Sequence, residues 1–315
     1  MPGPRRSERL QQQLQQVAGR RQQAQTPEFK MKDLGEAKFL LGIEIWRLEG
    51  GGVMITQEKY AKEVVRRFGM EDSKPASTPL EDGSKLGSKQ APQTPKEEKD
   101  MEGKPYRSLV GSLMYLTTCT RPDLSMAVST LSRFCSNPGK AHWEAARRVL
   151  RYVKGTMGEG LVYKRGEALP VWGYSDASYG TCLDTFRSRS GWVFMSAGGA
   201  VSWGSKLQEV VALSSCEAEY MGLTYAAQEG IYLRQLQDEL EEGAKGRKES
   251  LQLLADNQAS IKLANNPVFH KRSKHIAIKW HWIRERVENG EVEVDFVGTR
   301  EMAADMLTKH ATRKC

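Results

Sequence analysis

Four acidic residues carry the clearest chemical signal in this sequence. Asp176 ends the apolar run VWGYSD and Asp256 ends LQLLAD, and both runs have the composition of short buried strands. Glu219 lies in SSCEAEYMGL, at the predicted start of a long helix, and Asp305 lies in the predicted helix EMAADMLTK. Acids at strand ends and on flanking helices meet at the open edge of an α/β sheet. The pattern predicts a site for divalent metal at that edge.

Any one of these acids, taken alone, is more often a helix cap or a solvated surface charge. The grouping favours a shared site, because Asp176 and Asp256 each terminate an apolar strand and Asp305 is surrounded by apolar neighbours. A buried carboxylate is costly unless it is paired, hydrogen-bonded or bound to a cation. A hard cation such as Mg²⁺, which prefers oxygen ligands, is the expected partner.

The elements that must position these acids follow a β-β-β-α-β-α order from Val171 onward. The first three strands form an antiparallel meander, with Gly198 and Gly199 at one turn, and Ser214 or Ser215 caps a helix over 215–241. LQLLAD then reads as a buried strand. The remaining segments are predicted to alternate helix and strand: NQASIKLANN, IAIKWHWIRERVENG, VEVDFVG and a terminal helix EMAADMLTKHATRK.

The chain upstream of Val171 differs from the rest in composition and in predicted secondary structure. KFLLGIEIWRLEGGGVMIT predicts a hairpin, QEKYAKEVVRRFGM an amphipathic helix, and residues 106–163 a helical region. Residues 72–104 are rich in Pro, Ser, Gly and charge, which is typical of a loop or linker. The first 26 residues are rich in Gln and Arg with few large apolar side chains, so we expect no stable core there.

Composition restricts the class of protein. The chain has 315 residues, and Lys and Arg outnumber Asp and Glu 47 to 39, so a polyanionic partner is favoured. The five cysteines have no CxxC spacing, which argues against a disulfide framework and for a reducing compartment. Neither a signal peptide nor an 18-residue apolar run occurs, so we expect an intracellular protein, cytoplasmic or nuclear, with no membrane partner.

Several motifs resemble a known family. YSDASYGTCLDTFRSRSGWVF, AVSWGSKLQEVVALSSCEAEY, ADNQASIKLANNPVFHKRSKHI and ADMLTK are similar to the ribonuclease H domain of copia-type LTR retrotransposon Pol polyproteins. FKMKDLGEAKFLLGIEI, ITQEKYAKEVVRRFGM and YRSLVGSLMYLTTCTRPDLSMAVS resemble the part of that reverse transcriptase after its active site, including thumb and connection. The resemblance runs in order from about Phe29 to Lys309.

The resemblance implies a fold and a domain plan. The fold is α/β, a ribonuclease H-like mixed sheet of three antiparallel strands plus parallel strands flanked by helices, preceded by a smaller, mostly helical polymerase remnant. The implied plan comes in five parts: a disordered arm at 1–28, a reverse transcriptase remnant at 29–80, a linker at 81–104, a helical thumb and connection at 105–165, and the ribonuclease H-like domain at 166–312.

The family's D-E-D-D set transfers by motif to Asp176, Glu219, Asp256 and Asp305, as both catalytic residues and metal ligands. Glu217 is the rival for the second place; it cannot share the face of Glu219, two residues away on the same helix. The family mechanism implies two Mg²⁺ ions, ~4 Å apart, with Mn²⁺ as an alternative. The implied substrate is an RNA·DNA hybrid, of which the RNA strand is cut.

Other residues are candidates to contact nucleic acid. Ser215, Asn257 and Gln258 are placed to meet the sugar-phosphate backbone, and the basic stretch HKRSKH supplies Lys271, Arg272 and Lys274. The histidines of this region, which are His270, His275 and His281, lack the spacing of a zinc site.

The departures from the family pattern leave two functions open. No YVDD-type polymerase motif occurs, so DNA synthesis is not expected, and Thr299 and Arg300 stand where cellular ribonucleases H carry a histidine before the last acid. The first hypothesis is a metal-dependent endoribonuclease from a truncated Pol polyprotein. The alternative is a catalytically inactive, nucleic-acid-binding remnant of the same element. A transposase or integrase fits the D-E-D-D order less well.

Overall fold

The computed structural model describes residues 32, 35–166, 170–240, 250–265 and 278–310. The predicted arm at 1–28 and the basic stretch HKRSKH lie outside the described residues. The described chain from Phe39 onward forms one compact unit. It contains two sheets, and each sheet is built by a different part of the chain.

The first sheet has four antiparallel strands in the order of the chain. They are β1 (Phe39–Leu40), β2 (Ile43–Arg47), β3 (Val53–Thr56) and β4 (Gly160–Tyr163). The pairing of β2 with β3 confirms the predicted hairpin. The prediction that the helical region continues to Tyr163 was wrong, because β4 pairs with β3. Gly160 permits that pairing, since a Cβ there would lie 2.2 Å from the Ile55 carbonyl oxygen.

Five helices lie between β3 and β4 in the chain. They are α1 (Glu58–Arg67), α2 (Pro95–Met101), α3 (Tyr106–Cys119), α4 (Ser125–Ser132) and α5 (Lys140–Gly155). Helix α2 lies inside the predicted linker and was missed there. Its sequence carries the signal nonetheless, because Thr94 and Glu97 form a capping box and Pro95 occupies the first turn. The other four helices bury one apolar core, which includes Val64, Leu109, Leu131 and Val149.

The second sheet has five strands in the order β7-β6-β5-β8-β9. They are β5 (Trp172–Ser178), β6 (Arg189–Ser196), β7 (Gly199–Leu207), β8 (Leu251–Ala255) and β9 (Val292–Phe296). The first three pair antiparallel, and β8 and β9 run parallel to β5. This is the predicted ribonuclease H-like mixed sheet, and the α/β fold class is confirmed.

One face of this sheet is covered by α6 (Ser215–Leu240), with α7 (Gln258–Asn265) and α8 (Trp282–Glu288) beside it. Helix α6 approaches so closely that a Cβ on Gly230 would lie 2.5 Å from Leu251 Cδ2. The core at this face therefore forms around a long helix that meets the sheet at a residue without a side chain, Gly230.

The opposite face is covered by the chain end, and here the predicted terminal helix was wrong. Residues 299–310 form two 3₁₀ turns, Thr299–Glu301 and Ala303–Leu307, in place of an α-helix. In a 3₁₀ turn, side chains three apart eclipse one another, so Ala304 and Leu307 both face the sheet and are fully buried. This burial presses the segment against Gly191 of β6, where a Cβ would lie 2.8 Å from Leu307 Cβ.

Candidate metal centre

Strand β5 holds Asp176 in the middle of the second sheet. The strand continues to Ser178, so Asp176 stands two residues before the strand end rather than at it, as the sequence had predicted. Its partner across the ladder is Gly191. Asp176 is 1% exposed, which is rare for a carboxylate and requires compensation by hydrogen bonds or a cation.

Strand β8 places Asp256 beside Asp176. Asp256 follows Ala255, the last residue of β8, and β8 runs parallel to β5 with Gly173 opposite Leu253. Parallel neighbours end at the same edge of a sheet, which brings the two acids together. The half-buried Asp256 accepts a hydrogen bond on Oδ2 from Thr299 Oγ1 at 3.0 Å.

Helix α6 supplies the third acid, Glu219, in its first turns. The rival Glu217 is used by the helix start itself: its carboxylate accepts from Leu213 N at 2.7 Å, and Ser214 Oγ accepts from Glu217 N at 3.1 Å. The bond from Glu217 N confirms Ser214 as the N-cap, and the Glu217 carboxylate binds the residue just before it. Glu219 is buried to the same degree, at 6% exposed, but its carboxylate points toward Asp176 and Asp256.

The carboxylates of Asp176, Glu219 and Asp256 converge. Each contributes one oxygen, and these oxygens all lie within 4.8 Å of one another. The buried Oε2 of Glu219 has no hydrogen-bond partner among the residues that the structure describes. A buried oxygen without a donor, next to two further carboxylates, fits a hard divalent cation, whose ligands are oxygens.

Asp305 lies near this cluster but is joined to it through a lysine. The Lys309 ammonium lies 2.5 Å from Asp305 Oδ1 and 3.6 Å from Asp176 Oδ1. Thr308, the residue before it, donates its hydroxyl to Asp176 Oδ2. Among the described residues, the predicted quartet is therefore a converging trio, Asp176, Glu219 and Asp256, with the fourth acid held beside it by an ammonium group.

Burial and mutual repulsion alter the ionisation of the cluster. Burial, followed by the charges of Asp176 and Asp256, raises the pKa of Glu219 to about 9. Burial also raises the pKa of Asp176, against the lowering effects of Thr308 and Lys309. The pKa of Lys309 is raised by Asp305, Asp176 and Asp256, although desolvation opposes them. Without a cation, Glu219 therefore keeps its proton at neutral pH.

The predicted nucleic-acid contacts have varied surroundings. Ser215 and Gln258 are exposed first residues of α6 and α7. The Asn257 side chain caps α7, since its Oδ1 accepts from Ser260 N at 3.0 Å. Lys271, Arg272 and Lys274 lie outside the described residues. The role of all six in binding nucleic acid stays a prediction.

The predicted histidines do not join the acidic cluster within the described residues, whereas three residues that were not predicted contact it. His281 Nδ1 lies 3.1 Å from the Tyr220 hydroxyl, and His270 and His275 lie outside the described residues. Three contacts of the cluster were not predicted from the sequence: Lys309 and Thr308, which contact Asp176, and Thr299, which contacts Asp256. The signal for Lys309 was present: it follows Asp305 by four residues, the spacing of a helical ion pair.

The sheet order β7-β6-β5-β8-β9 and the buried acidic cluster at its edge define a ribonuclease H-like domain. A family model described as reverse transcriptase (RNA-dependent DNA polymerase) matches residues 12–82. The chain is 44% identical over 286 residues to the retrovirus-related Pol polyprotein from transposon TNT 1-94 of Nicotiana tabacum. It is 37% identical over 289 residues to that from transposon RE1 of Arabidopsis thaliana. The chain is thus a homologue of one part of copia-type retrotransposon Pol polyproteins.

These relatives are much longer than the chain. Each match covers 90% of this chain, but 21% of the tobacco polyprotein and 19% of the Arabidopsis one. Among solved structures, the chain is similar to LC11-RNase H1 in complex with RNA/DNA hybrid, at 15% identity and a TM-score of 0.32. That similarity covers 44% of this chain and 92% of the other. None of the helices in the described ranges is long and apolar enough to cross a membrane.

Proposed function

We propose that this chain is a metal-dependent endoribonuclease that cuts the RNA strand of RNA·DNA hybrids. The observation that carries the proposal is the cluster of Asp176, Glu219 and Asp256, with a buried Glu219 oxygen that lacks a donor among the described residues. Such a cluster is unfavourable by itself and becomes favourable when a cation enters. Family membership supports a ribonuclease H-type reaction at this place.

The chain's own residues have distinct tasks in this proposal. Asp176, Glu219 and Asp256 bind the cation, and Thr308 fixes the orientation of Asp176 through its hydrogen bond. Asp305 keeps the Lys309 ammonium at the rim of the site and completes the D-E-D-D set. Mg²⁺, in a pair of ions or replaced by Mn²⁺, would lower the pKa of the attacking water and stabilise the leaving oxygen.

The proposed partner is a nucleic acid hybrid, and the proposed place is inside the cell, in the cytoplasm or nucleus. The formal net charge of +8 favours a polyanion. The four cysteines in the described part of the chain, Cys119, Cys135, Cys182 and Cys216, are all free thiols, as is usual in a reducing compartment.

The test is hydrolysis of a labelled RNA·DNA hybrid by the full chain with Mg²⁺. We expect cleavage of the RNA strand that disappears in Asp176→Asn. Asp295→Asn makes the same change on β9, at a carboxylate that accepts from Gln252 outside the cluster, and should keep full activity. Cleavage that persists in Asp176→Asn, or that is lost equally in Asp295→Asn, refutes the proposal.

A second candidate function is a nucleic-acid-binding module without catalysis. The Lys309 ammonium favours it, because it lies between Asp176 and Asp305 and already supplies positive charge where a cation would bind. The lack of a histidine in VDFVGTREMAAD points the same way. This candidate predicts hybrid binding that weakens steeply with salt, but no product at any Mg²⁺ or Mn²⁺ concentration. Any turnover that depends on Asp176 excludes it.

A further inference from the structure

Arg189, the first residue of β6, is a buried cation without a buried anion. It is 4% exposed, and its guanidinium donates to three neutral hydroxyls: Ser129 Oγ at 2.8 Å, Thr130 Oγ1 at 3.1 Å and Ser205 Oγ at 3.1 Å. Among the described residues, no carboxylate lies within ion-pair distance of it. A guanidinium has five N–H donors, so these bonds leave two of them for another acceptor.

Arg121 shows how this fold treats a buried arginine when the charge is only structural. It is 3% exposed, and Asp123 accepts from its Nε at 2.9 Å and from its Nη2 at 2.7 Å. That forked pair neutralises the charge where it is buried. Arg189 lacks such a partner, and burial followed by the nearby charge of Arg133 lowers its pKa to about 10. The positive charge at Arg189 is thus left uncompensated by the described chain.

Arg189 lines a cavity of about 430 Å³ that adjoins the acidic cluster. Thr308 and Lys309 belong both to the wall of this cavity and to the surroundings of Asp176. Ser178, the ladder partner of Arg189, also lines it and follows Asp176 by two residues on β5, so the two side chains share a face. The cavity therefore opens beside the proposed catalytic site.

The charged groups of the cavity favour an anion. The lining carries the cationic or basic side chains Lys85, Arg133, Arg189, Lys309 and His310, and one carboxylate, Asp82. Arg133 is paired with Asp184 at 2.8 Å, and Lys309 is paired with Asp305. The remaining charges of the lining are the positive charges of Arg189 and the exposed Lys85 and the negative charge of Asp82. The buried Nδ1 of His310 has no hydrogen-bond partner in the described part of the chain and offers a further polar contact.

We propose that this cavity binds a phosphate group through the Arg189 guanidinium, with Lys85 as a second contact. The planar fork of arginine matches phosphate oxygens, and two of its donors remain available. The phosphate is one of the hybrid's backbone, held next to the acids, or a free phosphate ion; the first source rests on the function proposed above. The cavity thus gives the nuclease a contact that positions the substrate.

The competing explanation is that Arg189 only joins α4 to the sheet. Its bonds to Ser129 and Thr130 do join them. Neutral hydroxyls, however, would serve a neutral side chain equally well and do not offset a buried charge. The two explanations differ in a measurable way, because only the phosphate site responds to added anion.

The experiment uses the full chain in EDTA, with inorganic phosphate and an RNA·DNA hybrid as separate probes. We expect phosphate to raise the thermal unfolding midpoint of the wild-type protein, and Arg189→Gln to lower phosphate affinity by about tenfold or more. Lys85→Gln, an exposed change that leaves the packing intact, should weaken it by a smaller factor. Arg147→Gln removes the same charge from the exposed face of α5 and should behave as wild type.

Binding of the RNA·DNA hybrid, measured at several salt concentrations, identifies the source of the phosphate. If the cavity holds a backbone phosphate, Arg189→Gln lowers the slope of log affinity against log salt by about 1. If phosphate binding is lost but this slope is unchanged, the cavity takes a free phosphate ion, and the shared chemistry still stands. If wild-type protein shows no response to phosphate and both Arg189→Gln and Lys85→Gln keep the wild-type salt slope, the proposal is overturned.

The test can distinguish loss of phosphate binding from loss of folding and from loss of catalysis. Arg189→Lys preserves the charge and some hydrogen bonds, so it serves if Arg189→Gln does not fold, and we expect intermediate phosphate affinity because the fork is lost. No divalent ion is present, so these results do not depend on hydrolysis. A chain that binds phosphate at Arg189 yet never cleaves RNA would refute the nuclease and retain the phosphate site.

Discussion

The Lys309 ammonium lies 3.6 Å from Oδ1 of Asp176, while Thr308 donates to the other oxygen of that carboxylate, Oδ2. A side chain from the end of the chain thus partly neutralises the most deeply buried acid of the cluster. One ammonium offsets only one of the nearby negative charges, so Lys309 weakens the site's attraction for a cation without abolishing it.

Removal of this ammonium should strengthen metal binding. For Lys309→Gln we expect about a tenfold tighter apparent affinity for Mn²⁺ or Mg²⁺, since two unit charges ~4 Å apart repel by about 4 kcal/mol at an effective dielectric constant near 20 and solvent screening reduces this. Titration calorimetry measures it. The matched control is Lys62→Gln, because Lys62 also bonds an acid four residues earlier at 2.5 Å, on the exposed face of α1. Equal affinities in the two variants would contradict this electrostatic role.

Glu219 and Glu217 should respond differently to the same substitution. Glu219→Gln removes a cluster oxygen, so metal affinity and hydrolysis should fall below detection while the helix start is intact. Glu217→Gln removes the charge that accepts the hydrogen bond from Leu213 N at the helix start, and should lower the free energy of unfolding by about 1 kcal/mol, with activity retained. Denaturant unfolding and a cleavage assay on both variants make the comparison. The reverse outcome would transfer the ligand role to Glu217.

The stability of the metal-free protein should fall as pH rises. The pKa of Glu219 increases from 4.5 to about 9 on folding, so between these values the folded chain holds a proton that the unfolded chain has lost. The free energy of unfolding therefore decreases from about pH 5 to pH 9. Glu219→Gln should flatten this slope, whereas Asp295→Asn should leave it unchanged, as measured by thermal unfolding in EDTA.

The same proton links pH to metal affinity. A cation that binds the Glu219 carboxylate releases the proton, so apparent affinity should rise by up to about tenfold per pH unit between pH 6 and 8. Calorimetry in buffers of different ionisation enthalpy would count the protons released. Release of no proton would show that Glu219 is not a ligand in the ionised form.

Gly191 should be essential for the position of the chain end. A Cβ there would lie 2.7 Å from Thr308 Cγ2 and 2.8 Å from Leu307 Cβ, so Gly191→Ala must push this segment off the sheet. We expect a loss of stability of about 1–3 kcal/mol and weaker metal binding, because Thr308 and Asp305 move with the segment. Gly222→Ala is the control: its Cβ would meet Ser175 Oγ at an ordinary 3.4 Å. Tolerance of Gly191→Ala would mean that the segment adjusts freely.

Much of the fold could be predicted because its signals are local. The apolar runs at β5, β8 and β9, the hairpin of β2 and β3 and the helix from Ser215 each depend on periodicity and caps within a few residues. The pairing of β4 with β3 could not be predicted in this way, since it joins Thr56 to Gly160 across the helical region. Long-range pairing leaves no mark on the local pattern.

The candidate site shows the same division. Asp176, Glu219 and Asp256 were recognised from their motifs, and their convergence follows from parallel pairing of β5 with β8. The 3₁₀ conformation around Asp305 was missed because Ala, Met and Leu favour an α-helix in isolation, while packing of Ala304 and Leu307 against Gly191 selects the tighter turn. The position of Lys309 follows from that turn.

Hydrogen bonds and apolar contacts join the second sheet to the first sheet and to the helices before it. Trp203 Nε1 on β7 donates to the Thr117 carbonyl on α3 at 2.8 Å, and Tyr163 on β4 donates to the Ala200 carbonyl at 2.7 Å. Leu161 of β4 also packs in one apolar cluster with Val193 and Ala200. Heating should therefore melt both halves in a single calorimetric endotherm, and the ribonuclease H-like half, expressed without its helical neighbour, would expose apolar surface and precipitate.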